Sequence, residues 1–175
     1  MEWVALAYHI PSGASKNRVY IWRKLREYGA GSLRPGFAVL PDSGENRRRL
    51  RELSRKLTEL GGDGTLMTLR LLDEADEAAL LEQFARQARE GYGRAIADGL
   101  RALRSRPADR RELGKIGREL EEAAGRDHFG TGLTGELRGQ LEELMQAAGE
   151  GLREFAGAAK GLLGEPGKDE SGGKK

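Results

Sequence analysis

Four interruptions within the first 64 residues constrain this chain more than any other feature: Pro11, Gly29, Pro35-Gly36 and Gly61-Gly62-Asp63-Gly64. The pieces between them are each long enough for one strand or one helix and no more. Trp3 to Ile10 is aromatic and aliphatic apart from His9, which predicts a strand covered on both sides, ended by Pro11. Ser15 is a good N-cap and Gly29 a good C′ residue, so residues 16–28 read as a helix. Residues 30–34 and 37–41 flank Pro35-Gly36, with Pro fitted to the second turn position and Gly to the third, where φ is positive. This is a β-hairpin.

Over residues 43–60, Leu50, Leu53, Leu57 and Leu60 recur at spacings of three and four, with Arg47, Arg48, Arg51 and Arg55 on the other side; this is a second amphipathic helix. The glycine cluster breaks it, and TLMTLRLLD supplies a last strand. The order β-α-β-β-α-β predicts an α+β fold with a ferredoxin-like core over residues 1–73: an antiparallel sheet with two helices on one face. Its other face needs a cover. A C-terminal α-helical extension over residues 74–164, packed on the core, is expected to supply it. Acids from Asp73 to Glu77 suit the start of a helix over 74–104, Pro107 closes it, and residues 108–124 and 134–163 predict two more, joined by GRDHFGTGLT. The tail EPGKDESGGKK, residues 165–175, has no apolar side chain to bury and is expected to be disordered.

Charge is distributed unevenly. Residues 1–72 hold 13 Lys and Arg against 7 Asp and Glu, whereas residues 73–164 hold 14 against 18. The front of the chain is the basic part, which points to an anionic partner there. Zero cysteines exclude disulfides and thiol chemistry, and two histidines make a histidine metal cluster implausible. No cofactor is expected. There is no run of about 18 apolar residues and no leader-like N-terminus; a cytoplasmic protein without membrane partners is expected.

The segments WVALAYHIPSGASKNRVYIWRKLREYGAGSLRPGFAVLPD and RDHFGTGLTGELRGQLEEL resemble the N-terminal domain of the chromate resistance protein family ChrB, over about residues 3 to 160. The most specific element is R-V-x-x-W-R-x-L, here Arg18, Val19, Trp22, Arg23 and Leu25, followed by Gly29-Ala30 and by Ala38 to Pro41. The resemblance implies a bacterial regulator that controls a chromate efflux system and responds to chromate. Full-length members continue into a C-terminal domain, and this chain is expected to stand alone without it. The core also resembles the C-terminal region of PaaX-type regulators and CRISPR-associated endoribonucleases. The nuclease pattern needs an aspartate near the end of the first strand, where this chain has His9-Ile10-Pro11.

Three constellations carry candidate chemistry. At 100° per residue, Ile21, Trp22, Leu25 and Tyr28 share one sector of the first helix and Arg18 falls within it. Ser15, Lys16, Arg18 and Arg23 could therefore bind a chromate- or sulfate-like oxyanion at the helix start. The plainer reading places Arg18 along the edge of the core, snorkelling to solvent or paired with an acid. On the second helix, Arg47, Arg48, Arg51 and Arg55 could neutralise DNA phosphates, without any base-reading signature beside them. The third, Asp127-His128-Phe129, pairs a carboxylate with an imidazole in a loop, but no nucleophile accompanies it, and packing by Phe129 is the better reading. His9 reads as a sheet histidine. No enzyme is expected. The expectation is a DNA-associated transcriptional regulator, with a homodimer one arrangement; the alternative is an oxyanion-binding or protein-interaction module that never touches DNA.

Overall fold

The computed structural model describes residues 1–11, 13, 15–105, 110–148 and 153–163. Residues 165–175, expected to be a disordered tail, lie outside them. The order is β1 (Trp3–His9), α1 (Ser15–Glu27), β2 (Gly31–Arg34), β3 (Phe37–Pro41), α2 (Gly44–Glu59), β4 (Asp63–Leu69), α3 (Glu74–Ser105), α4 (Arg110–Arg126), α5 (Gly135–Ala148) and α6 (Arg153–Leu163). Within the stretch expected as one helix over 134–163, the described residues form α5 and α6, and residues 149–152 between them lie outside the described residues. The last strand starts two residues earlier than TLMTLRLLD and stops at Leu69. Ser15 lies inside α1 as its first residue, not before it as a cap. No described helix is long and apolar enough to cross a membrane.

The four strands form one antiparallel sheet in the order β2-β3-β1-β4. Two glycines set its geometry. Gly29, at φ 66°, ends α1: its N–H donates to the Arg26 carbonyl at 3.0 Å and that of Ala30 to Leu25 at 2.9 Å, the Schellman pairing that satisfies the last helical carbonyls. Gly36, at φ 74°, closes the hairpin, and its carbonyl accepts from the Tyr8 N–H at 2.7 Å. The turn residues Pro35-Gly36 therefore do what their chemistry requires.

The chain divides into two compact units, Met1–Glu90 with Glu122–Gly132, and Gly91–Glu121 with the residues from Leu133 onward. In the first, alternation along β1 sends side chains to both faces of the sheet. Leu6 points to the α2 side, where its Cδ1, the Leu57 Cδ2 and the Ser54 Oγ crowd Gly64. Trp3 points to the other side and stacks on Phe84 of α3 at 5.6 Å, with Phe129 edge-on at 6.1 Å. The chain's own α3 and the segment after α4 thus cover the second sheet face. Trp3, Leu6, Ile21, Leu40, Leu50 and Leu57 are fully buried, each stabilising the fold by about 1.5–3 kcal/mol relative to exposure.

In the second unit, Ile96, Leu113, Leu120, Leu141 and Leu144 are fully buried. Gly99 lets the helices approach closely, since a Cβ there would stand 2.8 Å from Leu144. The Arg138 guanidinium donates to the Leu163 carbonyl at 2.7 Å and ties α5 to α6.

Candidate nucleic-acid interface

The inner face of α2 is fixed by its leucines, and that fixes the direction of its arginines. Ser43 caps the helix, its Oγ accepting from the Asn46 N–H at 3.1 Å. Asn46, Leu50, Leu53 and Leu57 are buried, with the Asn46 amide donating to the Pro41 carbonyl at 2.9 Å. At about 100° per residue, Arg48, Arg51 and Arg55 then fall within about 60° of one another on the outer side. All three are exposed, and among the described residues no acid pairs with them. Arg47 differs: it forms a bidentate ion pair with Asp42. The Arg47 hydrogen bond holds the Asp42 carboxyl below its ordinary range. Arg49 is also engaged, with Glu45, and lies over the Tyr28 ring at 5.6 Å. Of the four arginines expected on DNA, Arg48, Arg51 and Arg55 are exposed and make no ion pair among the described residues, and Arg47 is held by Asp42.

On α1 the inward residues are Ile21 and Leu25, with Asn17 donating to the Leu60 carbonyl at 3.0 Å. The expected apolar sector is corrected at Trp22, which is 54% exposed. The centre of burial lies on the Asn17, Ile21 and Leu25 side, which turns Trp22 outward together with Arg18 and Arg26. The Arg26 guanidinium covers the indole at 4.8 Å from its centroid. Val19 and Tyr20 are exposed as well. Of the pattern Arg18, Val19, Trp22, Arg23 and Leu25, only Leu25 is buried. The sequence reading missed the Trp22–Arg26 pair, although its spacing of four was visible and places the two side chains one above the other.

Ser15, Lys16, Arg18 and Arg23 are all exposed. The Arg18 guanidinium lies 3.5 Å from the Pro11 carbonyl, which puts it at the helix start as expected. Arg23, however, projects about 140° away from Arg18 around the helix and more than a turn further on. Lys16 and Arg23 share one side, and Arg18 belongs to the other. The four therefore spread over α1 and do not converge on one small ligand.

The third constellation is structural. The Asp127 carboxylate accepts from the backbone N–H groups of Thr131 and Gly132 at 3.1 and 2.9 Å, closing the loop. His128 Nε2 lies 2.8 Å from the Tyr28 carbonyl. Phe129 packs edge-on against Trp3 and Phe84. His9 is exposed at the end of β1, opposite Asp63. Among the described residues no group of three or more His, Asp or Glu is placed to hold a metal ion.

Residues 18–104 match the family described as Protein ChrB, N-terminal, a stretch that holds Arg18, Arg23 and every α2 arginine. No curated protein matches the chain. Among solved structures, an uncharacterized protein from Mycobacterium tuberculosis is similar at 18% identity and a TM-score of 0.46, over 93% of this chain. The chain spans 62% of the length of that protein.

Proposed function

Residues 18–104 belong to the N-terminal domain family of ChrB, a chromate-resistance-associated family, and from that premise we propose that the chain is a DNA-associated, non-enzymatic regulator responsive to chromate or a related oxyanion. Its core takes the ferredoxin-like arrangement, a reading supported by the order β2-β3-β1-β4 with each neighbouring pair antiparallel. The observation that carries the function is the stripe Arg48, Arg51 and Arg55, exposed and unpaired with acids among the described residues. Charges left without local partners suit a row of phosphates, which gives affinity without base readout. Lys16, Arg23 and the Arg26–Trp22 pair extend the cationic surface onto α1. The test is a mobility shift with duplex DNA from a chromate efflux promoter. Binding that disappears in Arg48→Ala/Arg51→Ala/Arg55→Ala is expected; wild-type protein that leaves the duplex unshifted at low salt overturns the reading.

A second reading rests on a different observation, the exposure of Val19, Tyr20 and Trp22 on one helix. Apolar side chains left in water beside arginines suit a protein partner, and the chain would then be an oxyanion-binding or interaction module without DNA. Calorimetry with chromate and with sulfate, repeated on Arg18→Ala, separates an oxyanion site at the start of α1 from its absence. Unchanged heats in the variant remove that site.

A further inference from the structure

The two edges of the sheet are finished differently. β2 has four residues, with a register shift between Ser32 and Arg34. Gln83 takes its outer backbone: Oε1 accepts from the Ser32 N–H at 2.8 Å, and Nε2 donates to the Ser32 carbonyl at 3.4 Å. A bulge, a short strand and a side chain bonded along the rim are the means by which proteins blunt an edge. β4 is neither short nor bulged, and among the described residues only the Ser54 hydroxyl, 3.5 Å from the Gly64 carbonyl, bonds to its backbone from a side chain. It runs seven residues in unbroken register with β1, from Trp3↔Leu69 to His9↔Asp63. Gly64-Thr65-Leu66-Met67-Thr68-Leu69 carries no charge, and no described strand pairs on its outer side. Thr65 and Thr68 are exposed, and Leu72, three residues beyond the strand, is fully exposed.

We propose that β4 is a self-association edge, through which two copies of the chain join into one eight-stranded antiparallel sheet. A long, regular row of free N–H and C=O groups is a template for another strand. A second copy satisfies both rows at once about a two-fold axis, because an antiparallel strand is complementary to itself. Facing residues of an antiparallel pair share one side of the sheet, so the axis must pass beside a residue that faces its own copy. With Leu66 there, Thr65 faces Met67 of the second copy, and Leu72 reaches the Leu60–Gly62 turn of that copy. The one charge within the strand, Asp63, lies at its first residue and at the outer end of the pairing, opposite Leu69 of the second copy, and the pairing gives Leu72 the cover it lacks in one chain.

Sedimentation of the pure full chain at high micromolar concentration tests this. Wild-type protein is expected at twice 19.2 kDa, and Thr65→Lys/Thr68→Lys at the single-chain mass with unchanged circular dichroism. Leu72→Asp is expected to move the monomer–dimer midpoint to about tenfold higher concentration. The chain has no cysteine, so single cysteines at positions 65, 66, 67 and 68 report the axis directly. Oxidation should cross-link one of them far better than its neighbours, since a disulfide needs Cα atoms about 4.4–6.8 Å apart. This scan decides the matter even where the lysine variant fails to fold. Wild-type protein that stays at the single-chain mass, as it would if the edge receives another protein's strand, overturns the proposal; so does a dimer that survives the lysines, or equal cross-linking from all four positions.

Discussion

The Nε2 atom of His128 stands 2.8 Å from the carbonyl oxygen of Tyr28, a hundred residues earlier in the chain. Since a carbonyl can only accept, Nε2 carries the proton and donates it. The bond fixes the loop after α4 to the end of α1, at the Schellman turn where a Cβ on Gly29 would stand 2.9 Å from Arg126. Phe84 meets the imidazole edge-on at 5.8 Å. One histidine thus closes the first compact unit at the point where two distant segments meet.

Stability is expected to fall on mild acidification through this group. Burial holds the His128 imidazole below its ordinary value of 6.5, with the Tyr28 carbonyl bond acting the other way. The unfolded chain therefore takes up its proton at a higher pH than the folded one. Stability from this group is complete above 6.5 and is lost as the pH falls from there through the lower folded value. Urea midpoints measured between neutrality and mild acid should show that slope. In His128→Gln, whose amide still donates but does not titrate, the slope should vanish in this window.

Phe129→Ala is expected to destabilise the first unit by about 3 kcal/mol. The ring contacts both Trp3 and Phe84, at 6.1 and 5.5 Å, and its loss leaves a gap on the sheet face that neither rigid neighbour can fill. Denaturant unfolding measures the loss directly. A change under about 0.5 kcal/mol would place Phe129 among ordinary surface residues.

How far the sequence could be read follows from how local each cause is. Pro35-Gly36 and Gly29 act through their own φ angles, and both turns stand where composition put them. The leucine spacing of α2 likewise placed its inner and outer faces. Trp22 was assigned inward because an aromatic on an amphipathic helix reads as core, whereas the direction of burial is set by what α1 packs on, through Ile21, Leu25 and Asn17. Whether an arginine is occupied is equally non-local: Arg47 and Arg48 look alike in sequence, and only the position of Asp42 at the end of β3 tells them apart. The docking of His128 on Tyr28 spans too much chain for any periodicity to reveal.

Gly36→Ala is expected to cost more than a helix or surface glycine substitution. A side chain at φ 74° pays about 1–2 kcal/mol for the left-handed backbone. Its Cβ would also stand 2.6 Å from the Tyr8 carbonyl oxygen, a clash between backbones that no rotamer relieves. Gly44→Ala is the control, since it opens α2 with nothing within 4 Å, and it should be neutral or stabilise by about 0.4–1 kcal/mol. Thermal or urea unfolding of the two variants reads the difference.

The two tryptophans are expected to report separately on the DNA surface. Trp3 is fully buried and Trp22 is 54% exposed, so iodide should quench only the second. Trp22→Phe should abolish quenching and leave stability within about 0.5 kcal/mol of wild type. If phosphates lie along α1 and α2, duplex DNA should shield Trp22 from iodide. Quenching that is unchanged by bound DNA would confine the contact to α2.

Arg48 and Arg47 are neighbours in sequence but should differ in the salt dependence of binding. A cation that neutralises one phosphate releases counterions, so each lost contact reduces the slope of log affinity against log salt by about 0.9. Arg48 makes no ion pair among the described residues and is placed to make such a contact, whereas Arg47 would first have to leave the bidentate grip of Asp42. Arg48→Ala is therefore expected to lower the slope by about 0.9, and Arg48→Ala/Arg51→Ala/Arg55→Ala by nearly three times as much. Arg47→Ala should leave the slope almost unchanged. Fluorescence anisotropy with a labelled duplex across a salt series makes the comparison, and equal losses from Arg47→Ala and Arg48→Ala would show that the phosphates follow the charge of α2 as a whole and not its unpaired stripe.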